Sequence, residues 1–309
     1  MHTILAQNLR KIYSVQKKRT GLSGSIKDLF SPVHEDKVAV SDVSFVIDEG
    51  ELVGFIGPNG AGKTTTLKML SGLLYPSGGQ VRVLGFDPWK REYDFLTHIS
   101  LVMGQKNQLW WDLPAIESFN LAKDIYGIES KVYKKTLDKL VEMLEIGDAL
   151  NVQVRKLSLG QRMKAELVAA LIHSPKILFL DEPTIGLDVV MQQSMRQFLK
   201  EYNKDNDGSI ILTSHYMDDV KELCKRVIII DQGSILYDGL LADVIAKFSK
   251  HKIIEVITPS GTTTHKVLRG KVAEQAAALL KNPSVVDINI KEVEIEDVIR
   301  SVFSASKRV

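Results

Sequence analysis

A glycine-rich segment, GPNGAGKT at residues 57–64, constrains the fold of this chain more than any other stretch. It fits the pattern G-x-x-x-x-G-K-[S/T] and lies between an apolar run, ELVGFI, and a helical pattern, KTTTLKML. In this context the glycines let backbone N–H groups surround phosphates at the start of a helix. We expect Lys63 to reach the terminal phosphates of a nucleotide and the Thr64 hydroxyl to bind Mg²⁺. The other loop residues expected to contact the nucleotide are Gly57, Pro58, Asn59, Gly60, Ala61, Gly62 and Thr65.

Apolar strand patterns alternate with helical patterns after this loop: KILFLD precedes VVMQQSMRQFLKEY, and SIILTS precedes MDDVKELCKR. Continuous apolar strands separated by helices predict a largely parallel sheet that is buried on both faces. Before the loop, LAQNLRKIY and VAVSDVSFVID predict antiparallel strands. A helix-rich stretch predicts a helical subdomain over about residues 114–170. We therefore predict an α/β fold of the P-loop NTPase type over residues 1–248.

Two further segments depart from this pattern. Residues 249–309 follow the order β-β-α-β-α, which predicts a small α+β appendage. Residues 16–37 are polar, basic at their start and interrupted by Gly and Pro, and predict a loop with a helical turn at residues 26–30. This insert is a solvated surface loop or a contact with a partner or with anionic lipid.

Composition excludes several classes of protein. The 40 Lys and Arg residues nearly balance the 38 Asp and Glu residues, so the chain lacks the basic excess of a dedicated nucleic-acid binder. A single cysteine, Cys224, cannot form an intrachain disulfide, and we expect it to pack in the core of a protein from a reducing cytoplasm. The sequence contains no signal-peptide pattern and no apolar run long enough to span a membrane.

Two predicted strands end in residues suited to phosphate chemistry. KILFLDEP ends in adjacent carboxylates, of which Asp181 is placed to hold Mg²⁺ and Glu182 to polarise an attacking water. SIILTSHY places His215 directly after the next strand, at the sheet edge where open α/β folds bind ligands. We expect His215 to contact the terminal phosphate.

A second anion site is predicted at RKLSLGQRMKAEL. Ser158 occupies the N-cap position of a helix, so free N–H groups and the positive end of the helix dipole face outward. The chain thus carries two phosphate sites in one sequence.

The order of the P-loop, LSLGQ, LFLDEP, GLD and His215 resembles the nucleotide-binding subunit of an ABC transporter over residues 1–248. The resemblance implies that Tyr13 stacks on adenine and that Gln105 senses Mg²⁺ and the attacking water. It also places Asp188 at a subunit interface. The implied ligands are ATP and Mg²⁺.

In that family two ATPase domains face each other head to tail, which explains the second phosphate site. The resemblance implies that Ser158, Gly160 and Gln161 bind the γ-phosphate held by the P-loop of the neighbouring subunit. Two positions depart from the common pattern. Leu159 replaces a glycine of the signature segment, LSLGQ at residues 157–161. Ile185 replaces a serine of the D-loop, TIGLD at residues 184–188, and the hydrogen bond of that serine across the dimer would then be lost.

The resemblance further implies a subunit that works as a homodimer, or beside a similar ATPase subunit, under a separate membrane permease on the inner face of the cell membrane. Such a subunit contacts neither nucleic acid nor cargo. Drug-resistance-type exporters are the most similar class, an importer ATPase is an alternative, and a soluble ABC ATPase that acts on DNA or ribosomes is a further one. The segment QLWWDLP leaves two interpretations open for Leu109, Trp110, Trp111 and Leu113: packing in the core or docking of a permease helix.

Overall fold

A computed structural model describes residues 2–17, 33–104, 106–206 and 208–306. The chain divides into two compact units, Met1–Asp238 and Gly239–Val309. The boundary at residue 248 that the sequence suggests lies a little beyond this division. As a boundary between functional domains it stays a prediction.

Strands of the described residues form a nine-stranded sheet with the order β4-β1-β2-β9-β8-β3-β7-β6-β5. The strands β3, β5, β6, β7 and β8 pair in parallel, whereas β1 pairs antiparallel with β2 and β4. The predicted parallel core with an antiparallel extension is therefore confirmed. The bounds are β1 His2–Lys17, β2 Val33–Asp48, β3 Leu52–Ile56, β4 Gly78–Val83, β5 Ile99–Met103, β6 Ile177–Asp181, β7 Ser209–Thr213, β8 Arg226–Asp231 and β9 Ser234–Leu240.

Helices of the first unit follow the predicted alternation. The bounds are α1 Lys63–Leu70, α2 Tyr93–Leu96, α3 Ala115–Ile125, α4 Ser130–Leu144, α5 Leu159–Leu171, α6 Val189–Asp205 and α7 Met217–Leu223. Short 3₁₀ turns lie at Pro88–Lys90, Gly147–Ala149 and Val154–Lys156. The helix-rich stretch that the sequence predicts corresponds to α3, α4 and α5.

The central strands are mostly apolar, and nearly all of their residues are buried, as expected where both faces of a sheet are covered. Phe55 of β3, Phe179 of β6, Ile211 of β7 and Ile228 of β8 all belong to one buried cluster. Burial of such side chains contributes roughly 1.5–3 kcal/mol each. This core fixes the carboxyl ends of the parallel strands, where the predicted phosphate residues lie.

The prediction of a loop over residues 16–37 is wrong at both ends, where the chain forms β-strands. Strand β1 continues through Lys17 and β2 begins at Val33, and the two pair in register from Ser14 opposite Asp36 to Lys17 opposite Val33. Backbone hydrogen bonds between two strands tolerate a polar sequence, which explains why composition alone misled here. The helical turn predicted at residues 26–30 lies outside the described residues.

The second unit has its own sheet and core. Strands β10 His251–Thr258, β11 Gly261–Leu268 and β12 Asp287–Glu292 pair antiparallel in the order β11-β10-β12. Its helices are α8 Leu241–Phe248, α9 Val272–Leu279 and α10 Ile295–Ser306, with a 3₁₀ turn at Arg269–Lys271. Ile254, Val256 and Val267 form the core under α9. The predicted order β-β-α-β-α is confirmed.

Cys224 caps the end of α7 and is buried, where burial raises the pKa of its thiol. This placement agrees with the expected packing role. Within the described part of the chain, no helix combines the length and apolarity that a membrane span needs.

Candidate functional site

The P-loop connects β3 to α1 at the carboxyl edge of the sheet. Gly60 and Gly62 have φ angles of 81° and 107°, which lie in the left-handed region that favours glycine. A Cβ atom at Gly57 would lie 2.2 Å from the carbonyl oxygen of Ile230. These glycines therefore allow both the turn and the close packing of the loop on β8.

Lys63 folds back over this loop. Its Nζ donates hydrogen bonds to the carbonyl oxygens of Gly57 at 2.6 Å and Pro58 at 3.1 Å. An ammonium group has three N–H donors, so one remains for a phosphate oxygen. Burial lowers the pKa of Lys63, and the nearby carboxylates of Glu182 and Asp181 oppose that shift. The ammonium thus lies close to the two carboxylates that the sequence assigned to metal binding and catalysis.

Asp181 lies between two hydroxyl groups at the end of β6. Thr64 Oγ1 donates to Asp181 Oδ2 at 2.8 Å, and Thr213 Oγ1 donates to Asp181 Oδ1 at 2.7 Å. Thr64 comes from α1 and Thr213 from the end of β7, so three elements meet at one carboxylate.

The donor set at Asp181 and Thr64 fits Mg²⁺. A carboxylate and a hydroxyl oxygen are hard ligands, and Mg²⁺ in nucleotide sites takes one or two such groups together with phosphate oxygens and water. Among the described residues, no three His, Cys, Asp or Glu side chains form a metal cluster.

Glu182 and His215 are held together beside this carboxylate. His215 Nε2 lies 2.6 Å from Glu182 Oε1, and the side chain of Glu182 is 14% exposed. Glu182 has a φ of 56°, which is uncommon for a residue with a side chain. Its backbone N–H is bound by the hydroxyl and the carbonyl oxygen of Thr213 at 3.0 and 3.1 Å. These bonds hold the strained residue in place.

The signature segment begins α5 with a complete capping box. The N–H of Gln161 donates to Ser158 Oγ at 3.2 Å, and the N–H of Ser158 donates to Gln161 Oε1 at 3.0 Å. The predicted N-cap is therefore confirmed. None of the hydrogen bonds among the described residues joins this segment to the P-loop of the same chain.

The segment packs instead on the turn before α6. A Cβ atom at Gly160 would lie 2.7 Å from Met191 Cε, and one at Gly186 would lie 3.1 Å from Leu159 Cδ2. Asp188 is the N-cap of α6, where Oδ1 accepts the N–H of Met191 at 2.8 Å. Leu159, the unusual signature residue, thus contacts the D-loop.

Comparisons with known proteins agree with this geometry. The sequence profile of the family described as "ABC transporter" matches residues 40–185. The ATP-binding protein NatA of Bacillus subtilis is 37% identical over 203 residues, which are 66% of this chain and 82% of NatA. The chain belongs to the family of ABC transporter ATP-binding proteins.

Two other similarities extend this finding. The probable multidrug ABC transporter ATP-binding protein YbhF of Escherichia coli is 37% identical over 205 residues, which are 66% of this chain but 35% of YbhF. A dimeric ATP-binding cassette in a post-hydrolysis state with ADP and phosphate has a TM-score of 0.63 at 24% identity. That similarity covers 77% of this chain and 98% of the cassette, and it shows the fold.

The resemblance to the ABC family also assigned Tyr13 and Gln105 to the nucleotide site. Tyr13 lies half-buried in β1 with the Lys11 ammonium 5.4 Å from its ring centroid, and its contact with adenine stays a prediction. Gln105 lies outside the described residues. Its neighbour Gly104 follows β5 and donates its N–H to the carbonyl oxygen of Asp181 at 2.9 Å.

The QLWWDLP segment divides between core and surface. Leu109 is buried, whereas Trp110 and Trp111 are 50% and 46% exposed and Leu113 is 39% exposed. The core interpretation is therefore wrong for the tryptophans and right for Leu109. The Arg162 guanidinium lies 5.3 Å from the ring centroid of Trp111, at the rim of a cavity of about 430 Å³.

Thr213 is the site residue that sequence reasoning missed. It binds both the carboxylate of Asp181 and the N–H of Glu182. A threonine at the end of an apolar strand, two residues before His215, was the available signal. β-branched residues are so common in strands that this signal does not stand out.

Proposed function

We propose that this ABC ATPase is the energy-coupling subunit of an exporter, and that it acts as a head-to-tail dimer under a separate membrane permease. The observation that carries the proposal is the convergence of Lys63, Asp181, Glu182 and His215 at one sheet edge, beside Thr64. The family hydrolyses ATP, and these are the groups that such a reaction needs.

The proposed reaction begins with phosphate binding. The P-loop N–H groups and the third donor of Lys63 bind the β- and γ-phosphates. Asp181 and Thr64 would hold Mg²⁺, which would supply neutralisation of the charge on the phosphate oxygens. Because the Thr213 hydroxyl donates a hydrogen bond to Asp181 Oδ1, the carboxylate presents its second oxygen, Oδ2, to Thr64.

Glu182 is the proposed general base. Its carboxylate accepts a proton from the water that attacks the γ-phosphorus, while the bond from that phosphorus to the bridging oxygen breaks and ADP leaves. His215 fixes the orientation of Oε1 through the 2.6 Å contact. His215 is 34% exposed, so its ring can also face a γ-phosphate. General-base catalysis of this kind contributes roughly 10²–10⁴-fold to the rate.

Two observations support the head-to-tail dimer. The signature helix has a complete N-cap, and its hydrogen bonds lie within the signature itself rather than at the P-loop of the same chain. The capping box uses the N–H groups of Ser158 and Gln161. The N–H groups of Leu159 and Gly160 precede the first hydrogen bonds of the helix, so these two are available to a phosphate from another subunit. The comparison cassette bound to ADP and phosphate is itself dimeric.

The direction of transport is proposed from relatives. YbhF is described as a probable multidrug ABC transporter ATP-binding protein, and this description favours an exporter. An importer ATPase, the alternative, would differ in the permease to which it binds. We propose Trp110 and Trp111, which are exposed, as the residues that dock on the exporter permease.

Purification of the tagged chain from detergent-solubilised native membranes tests the proposal. We expect an integral membrane protein with several spans to co-purify, and its reconstitution with the chain in nanodiscs to change the rate of ATP hydrolysis. Recovery of the chain with ribosomes or nucleic acid, and no such membrane protein, would contradict it.

A further inference from the structure

A buried carboxylate behind the site, Asp219 of α7, contacts both loops that carry the proposed catalytic pair. Asp219 has no exposed surface. Its Oδ2 accepts hydrogen bonds from Thr184 Oγ1 at 2.5 Å and from Ser214 Oγ at 2.6 Å. Thr184 lies two residues after Glu182, and Ser214 lies directly before His215.

The charge of Asp219 is balanced by Arg196 of α6, which is also buried. Its Nη1 donates to Asp219 Oδ1 at 3.1 Å. The Nε of Arg196 lies 3.0 Å from Glu222 Oε1. Both carboxylate oxygens of Asp219 are therefore engaged, as a buried charge requires.

We propose that Asp219 is a positioning residue: by binding Thr184 and Ser214 through one oxygen, it fixes the distance between the loops of Glu182 and His215. The inference rests on the proposed roles of that pair in ATP hydrolysis. Two adjacent strands, β6 and β7, end at these loops. The contact between Glu182 and His215 joins the two loops directly, and Asp219 joins them a second time through Thr184 and Ser214.

Backbone strain explains why such a connection is useful. Glu182 holds a positive φ, and strained residues persist only where the surrounding contacts determine their conformation. Thr213 binds the backbone N–H of Glu182 from one side, and the bond from Thr184 to Asp219 restrains the chain two residues later. Without the second restraint, the loop after β6 is free to relax and the carboxylate of Glu182 shifts.

The test uses variants of the full chain that remove one hydroxyl. Thr184→Val keeps the side-chain shape and removes the donor, whereas Thr184→Ser keeps the donor. We expect Thr184→Val to lower kcat roughly 10- to 100-fold and to leave the Kd for ATP within about twofold, because small displacements of a catalytic group have effects of this size. Thr184→Ser should recover most of the rate.

A second pair of variants lies at the two ends of β7. Ser214→Ala, one residue after the site end of the strand, should lower kcat like Thr184→Val. Ser209→Ala is the matched control, because Ser209 is equally buried at the other end of β7 and donates to the carbonyl oxygen of Asp48 at 3.0 Å. Asp219→Asn tests the carboxylate directly, and the hydroxyl variants keep the inference testable if that protein does not fold.

Non-additivity separates positioning from general destabilisation. If Asp219 acts through Glu182, Thr184→Val should not further lower the slow residual hydrolysis of a Glu182→Gln variant. The inference would be overturned if Thr184→Val lowered kcat by the same factor in the wild-type protein and in the Glu182→Gln variant. Equal kcat values for Thr184→Val and Thr184→Ser would overturn it as well. A Glu182→Gln variant with the wild-type rate would instead contradict the proposed function on which the inference rests.

Discussion

His215 Nε2 and Glu182 Oε1 lie 2.6 Å apart, although 32 residues separate the two positions along the chain. Each side chain follows one of two adjacent parallel strands, β6 and β7, whose register places Asp181 opposite Thr213. The contact is thus a product of sheet topology. It joins the proposed general base, Glu182, to the imidazole that we propose to orient it.

The proposed contact between the signature of one subunit and the nucleotide of the other can be tested with mixed dimers. Ser158→Arg removes the proposed contact with the partner's nucleotide, and Lys63→Ala removes phosphate binding in its own P-loop. Each variant alone should be inactive. In a head-to-tail heterodimer one site retains an intact P-loop and an intact facing signature, so mixing should restore ATP hydrolysis.

Native mass spectrometry of the mixture supplies the control, since it shows whether heterodimers form. Heterodimers that remain inactive would contradict the assignment of Ser158 to the partner's site.

Exposure distinguishes Trp110 and Trp111 from Leu109. Leu109→Ala should destabilise the fold by about 2–5 kcal/mol because it creates a cavity. Trp110→Ala and Trp111→Ala should change the free energy of unfolding by less than about 1 kcal/mol, since about half of each side chain faces solvent.

We expect the tryptophan variants to hydrolyse ATP and to lose the permease during purification, because the free energy of binding to the permease should weaken by about 2 kcal/mol or more. A folded Trp111→Ala variant that retains the permease would exclude the docking role.

Glu166 predicts a pH dependence of stability. This residue of α5 is 5% exposed, one of its oxygens has no hydrogen-bond partner among the described residues, and burial raises its pKa from 4.5 to about 7. Between these pH values the folded state binds a proton that the unfolded state has released. Stability therefore falls as pH rises through this window, by an amount of the order of 2–3 kcal/mol.

Glu166→Gln should remove this part of the pH dependence in urea unfolding at pH 5 and pH 8. Glu142→Gln on the exposed face of α4 is the control and should retain it. Equal pH dependence in wild type and Glu166→Gln would contradict the assignment.

Much of the site could be predicted because it depends on local sequence. The P-loop glycines, the N-cap at Ser158 and the acidic end of β6 each require specific residue types at fixed spacing. The contacts that could not be predicted join distant segments. Thr213 with Asp181, and Leu159 with Gly186, depend on strand order and helix packing, which no local pattern encodes.

The fold shows the same limit. Apolar strands were evident because both faces are buried, but the polar ends of β1 and β2 were not. Pairing between those strands is held by the backbone, so their side chains carry no periodic signal. The positive φ of Glu182 was also invisible, since glutamate rarely adopts it.

ATP hydrolysis by Glu182→Gln tests the central claim most directly. The amide fits the space of the carboxylate but does not accept the proton, so kcat should fall at least about 100-fold while the Kd for ATP stays within about twofold. Size-exclusion chromatography with ATP should then show a stable dimer. Glu274→Gln, on the exposed surface of α9, is the control and should hydrolyse ATP at the wild-type rate. Hydrolysis by Glu182→Gln at a near wild-type rate would contradict the proposed mechanism.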